Sequence, residues 1–170
     1  MTTPRIPQPL KAEHDELHTE LVQATRAGGR TGEAARTVAS VLHPHFVREE
    51  EYALPPLGLL ARVARGEDVP ETEAAAAISM GRRPKEELPR MIEEHERIVA
   101  ALDILAEAAR IEGHAEYARF AEKLVLHART EEEVLYPATI LLADHLEAAA
   151  AARTGSGPDG LGSGQTPAAP

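Results

Sequence analysis

The stretch "HFVREEEYALP" at residues 45–55 recurs as "HARTEEEVLYP" at residues 127–137. In both copies a histidine is followed four residues later by three glutamates, and ten residues later by a proline. A further histidine precedes each copy by 31 or 32 residues, in "EHDEL" (13–17) and "EHERI" (94–98). Self-similarity of this kind indicates a repeated structural unit. The sequence therefore predicts two helical hairpins, each with one histidine on its first helix and a His-x-x-x-Glu motif on its second.

The spacing within each motif places its two polar residues on one face of a helix. Residues four apart lie about 40° apart around an α-helix, so His45 and Glu49 face the same way. The same holds for His127 and Glu131. The middle glutamate of each triplet lies about 140° from its histidine and is expected to face elsewhere. In an antiparallel hairpin, the preceding helix brings the upstream histidine opposite each pair.

Two such hairpins closing into a bundle would direct four histidines and two glutamates into one interior. Burying an unpaired ion costs several kcal/mol, and a bound metal removes that cost. The chain has no cysteine, so the ligands are nitrogen and oxygen atoms, which suit iron, manganese or zinc. Six ligands exceed the needs of one tetrahedral zinc ion and suit two metals bridged by carboxylates. The candidate metal ligands are His14, His45, Glu49, His95, His127 and Glu131.

Two residues beside these motifs have roles that the pattern leaves open. His18 lies one turn beyond His14 on the same helix face. It is either an extra ligand, a hydrogen-bond donor that supports a ligand, or a gate. Tyr52 lies seven residues after His45. It is either a core tyrosine whose hydroxyl is hydrogen-bonded or a residue beside the metal. A single histidine or a lone run of glutamates is more often solvated than metal-bound. The joint, repeated pattern favours a dinuclear metal site.

The composition predicts an all-α fold. Hydrophobic residues make up 43% of the 170 residues and aromatic residues 3%, with no tryptophan, so the core must be aliphatic. Alanine, leucine, glutamate and arginine dominate, which favours helices, and β-branched runs of period two are absent. Four long helices joined by loops predict an up-and-down four-helix bundle, with short extra helices between the hairpins and at the C-terminus.

Proline and glycine positions predict the limits of this domain. Residues 1–8 are expected to form an extended N-terminal arm, because Pro9 suits the first turn of a helix. The bundle is predicted over residues 9–152. Residues 153–170 are rich in glycine, serine and proline and are predicted to form a disordered tail.

The segment between the hairpins carries further helix signals. The stretch "PETEAAAAISMG" is expected to form a short helix that ends at Gly81, and Pro84 or Pro89 is expected to open the third long helix. That helix should end near Gly113, and the fourth should run to about Tyr136.

The charge of the chain disfavours several classes of partner. The formal net charge is −10 and the pI is about 5.3, which argues against a nucleic-acid surface and against binding to anionic lipid. The sequence has no apolar stretch of about 20 residues that could span a membrane, and no signal-peptide pattern at its start. Zero cysteines exclude disulfides and thiolate chemistry. These features predict a cytoplasmic protein whose protein partner, if it has one, is unknown.

The six candidate ligands, in this order and spacing, resemble those of the hemerythrin-like (HHE cation-binding) family. The resemblance covers residues 8–150. It implies a four-helix bundle around a non-haem di-iron centre, that is, two iron ions joined by an oxo or hydroxo bridge. In that arrangement Glu49 and Glu131 are the bridging carboxylates.

The resemblance also implies how the histidines divide between the irons and where this chain departs from the oxygen carriers. His14 and His45 would serve one iron, and His95 and His127 the other. Oxygen-carrying hemerythrins have a fifth histidine one turn before the third-helix histidine, and Met91 stands there in this chain. The departure argues against reversible oxygen carriage.

Three functional hypotheses follow from these patterns. The first is a di-iron protein that reacts with or binds a small oxidant (H2O2, O2 or NO), with peroxide decomposition favoured. The second is a binding module without turnover, as a sensor of oxygen, iron or nitric oxide or as an iron donor. The third is a structural bundle in which the histidines are incidental.

Overall fold

The computed structural model describes residues 3–155, which are mostly helical and contain no β-strand. The α-helices are α1 (Gln8–Thr25), α2 (Gly29–Arg48), α3 (Leu60–Ala64), α4 (Glu71–Glu112), α5 (Ala115–Thr130) and α6 (Tyr136–Gly155). The predicted all-α fold is confirmed. No helix in this range combines the length and the apolar character needed to cross a membrane.

Four of the helices pack around the main core. Helix α1 contacts α2 and α5, and α4 contacts the same two helices, so the four form a ring. Leucine and alanine dominate the buried side chains between them, with Phe46 and Phe120 as the aromatic residues. This aliphatic core agrees with the low aromatic content of the sequence. The predicted helix bundle is confirmed at this level.

Each copy of the repeated motif contains a π-helical turn that begins at the candidate ligand glutamate. These turns span Glu49–Ala53 and Glu131–Leu135. The backbone N–H of Leu54 donates to the carbonyl of Glu49 at 2.9 Å, and Tyr136 donates to Glu131 in the same way. A bond over five residues, instead of four, shifts which later side chain lies on the glutamate's face. The four-residue spacing of each motif predicts a regular α-helix, and the π turns are a departure from that expectation.

Helix α4 differs most from the sequence-based expectation. It is continuous for 42 residues and passes through both Pro84 and Pro89, so the predicted stop at Gly81 and restart at a proline are wrong. Proline weakens a helix interior, but tertiary packing outweighs this local cost where a long helical face is covered. Helix α6 supplies that cover along the N-terminal part of α4. Helix α4 ends before Gly113, whose φ of 81° is left-handed, at the predicted break.

The approach of α6 to α4 is closest at Gly81. A Cβ atom at this position would lie 2.4 Å from the Cβ of Ala143 and 3.2 Å from the carbonyl oxygen of Thr139. The absence of a side chain therefore permits this contact. The C-terminal helix is also longer than expected, because α6 runs three residues past the predicted bundle limit of 152 to Gly155. The rest of the predicted disordered tail lies outside the described residues.

The end of α4 is tied to the start of α2. The Glu112 carboxylate accepts hydrogen bonds from the backbone N–H groups of Arg30 and Thr31, both at 2.9 Å, and from the Thr31 hydroxyl at 2.6 Å. Free N–H groups at a helix N-terminus commonly need such an acceptor. The Thr31 hydroxyl, followed by the two backbone donors, lowers the pKa of Glu112 to about 2. This junction joins the loop ends of the two hairpins, where α1 connects to α2 and α4 connects to α5.

Candidate metal centre

The structure brings the six candidate ligands together in the interior of the bundle. All six residues are buried, and the relative exposure of each is 4% or less. They come from α1, α2, α4, α5 and the first residues of the two π turns: His14, His45, Glu49, His95, His127 and Glu131.

These residues form two groups that share one glutamate. In each group, one ligand atom from every residue lies within 4.8 Å of the others, a spacing that can hold a metal ion. The first group comprises His45, Glu49, His95 and Glu131, and the second comprises His14, His127 and Glu131.

The histidines pair across the two hairpins. The Nε2 atoms of His45 and His95 are 2.7 Å apart, and those of His14 and His127 are 3.2 Å apart. This grouping differs from the pairing implied by the family resemblance, which joins histidines of one hairpin. The ring of helices explains the difference, because α2 lies beside α4 and α1 lies beside α5.

Glu131 faces both groups with different oxygen atoms. Its Oε1 lies 3.0 Å from Nε2 of His127 and 3.4 Å from Nε2 of His14. Its Oε2 lies 3.4 Å from Nε2 of His95. This is the arrangement of a bridging carboxylate. Glu49 belongs to the first group alone, with Oε1 3.2 Å from Nε2 of His45.

The electrostatics of the centre favour a bound cation. Among the described residues, Glu49 Oε2 and Glu131 Oε1 are buried atoms without a hydrogen bond. Burial and the charge of Glu131 raise the pKa of Glu49. Burial also raises the pKa of Glu131, but the three histidines around it outweigh that effect and hold it well below its usual range. Buried carboxylate oxygens without donors are costly, and cations relieve that cost. The imidazole and carboxylate set thus fits iron, manganese or zinc.

The outward nitrogen of every candidate histidine faces a carboxylate. Histidines that bind metals through one nitrogen usually donate the other N–H to such a group, which fixes the ring. Two of these carboxylates belong to the middle glutamates of the triplets. Each faces away from the histidine of its own motif and lies beside the histidine on the preceding helix. The Nδ1 distances are 3.0 Å for His45–Glu94, 2.8 Å for His95–Glu132, 3.1 Å for His127–Glu13 and 3.3 Å for His14–Glu50.

The four carboxylates do not hold their histidines equally well. Glu94 is itself fixed by Arg48 and by Nε of Arg90 at 3.1 Å, and its side chain is 15% exposed. By contrast, Glu50 makes no hydrogen bond to His14, whose Nδ1 is buried without one. The His14 ring instead stacks on Phe46 at 4.4 Å between ring centres. His14 is therefore the candidate ligand with the weakest polar support.

Tyr136 is a buried member of the centre that the sequence did not reveal. Its hydroxyl donates a hydrogen bond to Glu49 and lies 3.2 Å from Nε2 of His95 and 3.4 Å from Nε2 of His45. Burial and the neighbouring carboxylates raise its pKa, so it remains a hydroxyl donor. Tyr136 follows Glu131 by five residues, the spacing that the π turn selects. Leu54 is the counterpart in the first motif.

The two residues with open roles lie outside both groups. His18 is exposed on α1, with its ring centre 6.4 Å from that of His43. Tyr52 is buried, but its hydroxyl donates to Glu87 at 2.9 Å. Burial and Glu87 raise the pKa of Tyr52 to about 12. Met91, four residues before His95, packs in one apolar cluster with both buried tyrosines.

A hollow between α1 and α2 borders the second group. Its volume is about 220 Å³, and its lining includes His14 and Phe46. A neighbouring hollow of about 390 Å³ shares Phe46 and is lined mostly by apolar side chains. The side of the centre that holds His14 is thus the one nearest to these surface openings.

No protein-family model matches this chain, and comparisons with curated proteins and with solved structures found no match. The metal-binding interpretation therefore depends on the geometry and chemistry of the chain's own residues.

Proposed function

We propose that this chain is a hemerythrin-like protein, an up-and-down bundle that holds two iron ions and decomposes hydrogen peroxide. The observation that carries the proposal is the pair of buried His/Glu groups that share Glu131. The carboxylates behind three of the histidines support it, because they prepare Nε2 of His45, His95 and His127 to bind a metal. Small oxidants of the same size, O2 and NO, are ligands for the same site.

The unequal composition of the two groups supports reaction with a small molecule. When bound, iron supplies redox chemistry and coordination positions that a substrate can take. The second group offers two histidines and one carboxylate, a set known to leave such positions open on iron. The first group has one more protein ligand and Tyr136 beside it. We therefore assign the substrate position to the side of His14 and His127.

The protein's own residues control water and protons around this position. Phe46 stacks on His14, and the two side chains together form the wall between the second group and the hollow between α1 and α2. On the other side of the centre, Tyr136 keeps its proton and donates it in a hydrogen bond to Glu49 of the first group. In the overall reaction two H2O2 molecules give O2 and two H2O. One peroxide loses two electrons and two protons, and the other gains them, so no further oxidant or reductant is required.

Oxygen release from peroxide tests this proposal. Tag-free protein loaded with iron should release oxygen when peroxide is added, as followed with an oxygen electrode. Glu131→Gln should abolish the release because it removes the carboxylate shared by both groups. Glu133→Gln is the matched control, since Glu133 is exposed two residues away, and it should retain the activity.

Two results would contradict peroxide decomposition. One is equal oxygen release from the Glu131→Gln variant and the natural protein, which would place the reaction outside the centre. The other is iron-loaded protein that binds NO or O2 reversibly and leaves peroxide intact. That second result would favour the sensor or iron-donor function instead.

A further inference from the structure

Two histidines that the buried centre does not use face each other at the surface. His18 lies on α1 and His43 on α2, and both side chains are exposed. Their ring centres are 6.4 Å apart, and the ring planes are inclined by 46°. Neither residue belongs to the repeated ligand pattern, and His43 lies two residues before a candidate ligand but faces outward.

The distance between these rings suits a shared metal ion after a small adjustment. Two imidazoles on one ion, at metal–nitrogen distances of about 2.1 Å, place their ring centres roughly 4.5 to 5.5 Å apart. The gap of about 1 to 2 Å is within reach of side-chain rotation, because exposed side chains change rotamer readily. The two helices that carry the histidines are packed against each other, so the pair is held in register.

The location of the pair connects it to the buried centre. Both histidines line the hollow of about 220 Å³ that has His14 in its wall, and both line the neighbouring hollow of about 390 Å³. Two carboxylates, Asp15 and Glu50, also line the smaller hollow. Lys11 contacts both of these carboxylates, Asp15 at 2.5 Å and Glu50 at 3.5 Å. An ion bound by the histidines would stand directly outside the candidate ligand with the weakest polar support.

We propose that His18 and His43 form a second, surface cation site that captures divalent transition-metal ions and supplies them to the buried centre. Imidazole pairs suit ions such as Fe²⁺, Ni²⁺, Cu²⁺ and Zn²⁺ and do not suit Mg²⁺ or Ca²⁺. The formal net charge of −10 attracts cations to the surface as a whole. The capture site stands on its own residues, and its supply role rests on the proposed iron centre.

Nickel binding to the iron-loaded protein tests the capture site. Tag-free natural protein should bind one Ni²⁺ per chain by calorimetry, beyond the metal already in its centre. His18→Ala and His43→Ala should each weaken this binding by roughly tenfold or more, and the double variant should bind no worse than either single variant, because each change breaks the same chelate. His145→Ala, an exposed histidine on α6, is the control and should bind like the natural protein. Absence of this Ni²⁺, or equal binding by all variants, would overturn the site.

The rate of iron uptake tests the supply role separately. Metal-free His18→Ala and His43→Ala proteins should take up Fe²⁺ several-fold more slowly than the natural protein but reach the same final iron content. An unchanged uptake rate, together with loss of the Ni²⁺ site, would overturn the supply role and keep the capture site. A protein that binds Ni²⁺ at the surface and no iron inside would contradict the proposed function and leave the capture site in place.

Discussion

Tyr136 donates a hydrogen bond to the carboxylate of Glu49, so a residue of the second motif satisfies the candidate ligand of the first. The two residues stand on opposite hairpins, and both are fully buried. The other oxygen of Glu49 is buried and has no hydrogen bond among the described residues, so it could bind a cation. The hydrogen bond between these two residues thus joins the two halves of the repeat inside the candidate centre.

Replacing Tyr136 with phenylalanine should destabilise the protein. The change removes the hydroxyl that donates to Glu49 and leaves a buried carboxylate oxygen unsatisfied, at a cost of about 1 to 3 kcal/mol. Urea denaturation of the natural and variant proteins measures this loss. Tyr117→Phe is the matched control, because its hydroxyl makes a long exposed contact of 3.5 Å to Gln23, and it should change stability by less than about 0.5 kcal/mol. Equal effects of the two changes would contradict the role of Tyr136.

Replacing Glu94 with alanine should weaken metal binding, although Glu94 is not itself a candidate ligand. Glu94 faces Nδ1 of His45 at 3.0 Å, and loss of such a partner commonly lowers metal affinity by about 10- to 100-fold. Competition with a chelator, followed by the iron that remains on the protein, measures the change. Glu93→Ala removes a neighbouring glutamate that pairs with Arg97 on the surface and should retain iron normally. Similar iron loss from both variants would show that Glu94 does not support the ligand.

The Glu112 junction should give the protein a defined dependence on pH. Hydrogen bonds from Thr31 and Arg30 lower the folded-state pKa of Glu112 to about 2, below its ordinary value of 4.5. A lowered carboxyl pKa stabilises the folded state above the unfolded pKa, and this contribution is lost as the pH falls toward the folded pKa. The difference in urea midpoint between the natural protein and Glu112→Gln should therefore be largest above pH 4.5 and shrink toward pH 2.

A second variant checks the cause of this pH dependence. Thr31→Val removes the hydroxyl that contributes most to the low pKa of Glu112 while it keeps the volume of the buried side chain. The stability of this variant should fall less steeply between pH 4.5 and pH 2 than that of the natural protein. A difference in urea midpoint between the natural protein and Glu112→Gln that stays constant across this pH range would contradict the junction as the origin of the pH dependence.

Replacing Gly81 with alanine should push α4 and α6 apart. Alanine favours a helix by about 1 kcal/mol over glycine, but its Cβ would lie 2.4 Å from the Cβ of Ala143. Overpacking of this kind costs about 1 to 3 kcal/mol, so we expect net destabilisation in urea denaturation. The double variant Gly81→Ala with Ala143→Gly should recover most of the loss. A stabilised single variant would contradict the close packing of these helices.

The sequence was sufficient to predict the candidate ligands because each motif obeys simple helix geometry. The four-residue spacing of His45 and Glu49 predicts a shared face in any α-helix, and the repeat predicts the same for the second motif. The division of the histidines between the two groups could not be predicted in this way. It depends on which helices are neighbours, and α2 lies beside α4, which belongs to the other hairpin.

Two other features depend on tertiary structure and could not be predicted from local sequence patterns. Tyr136 reaches the centre because a π turn places the residue five positions after Glu131 on its face, and a four-residue period does not include it. Helix α4 passes through Pro84 and Pro89, although a proline predicts a helix start or stop when only its neighbours are considered. Packing of α6 along this segment provides the stabilisation that the local pattern lacks.

The iron content of the purified protein tests the central claim most directly. Tag-free protein from cells grown with ample iron would be analysed by plasma mass spectrometry, with its concentration set by amino-acid analysis. Two buried groups that share Glu131 predict two iron atoms per chain. One metal per chain, no metal, or zinc alone would contradict the account of a di-iron centre.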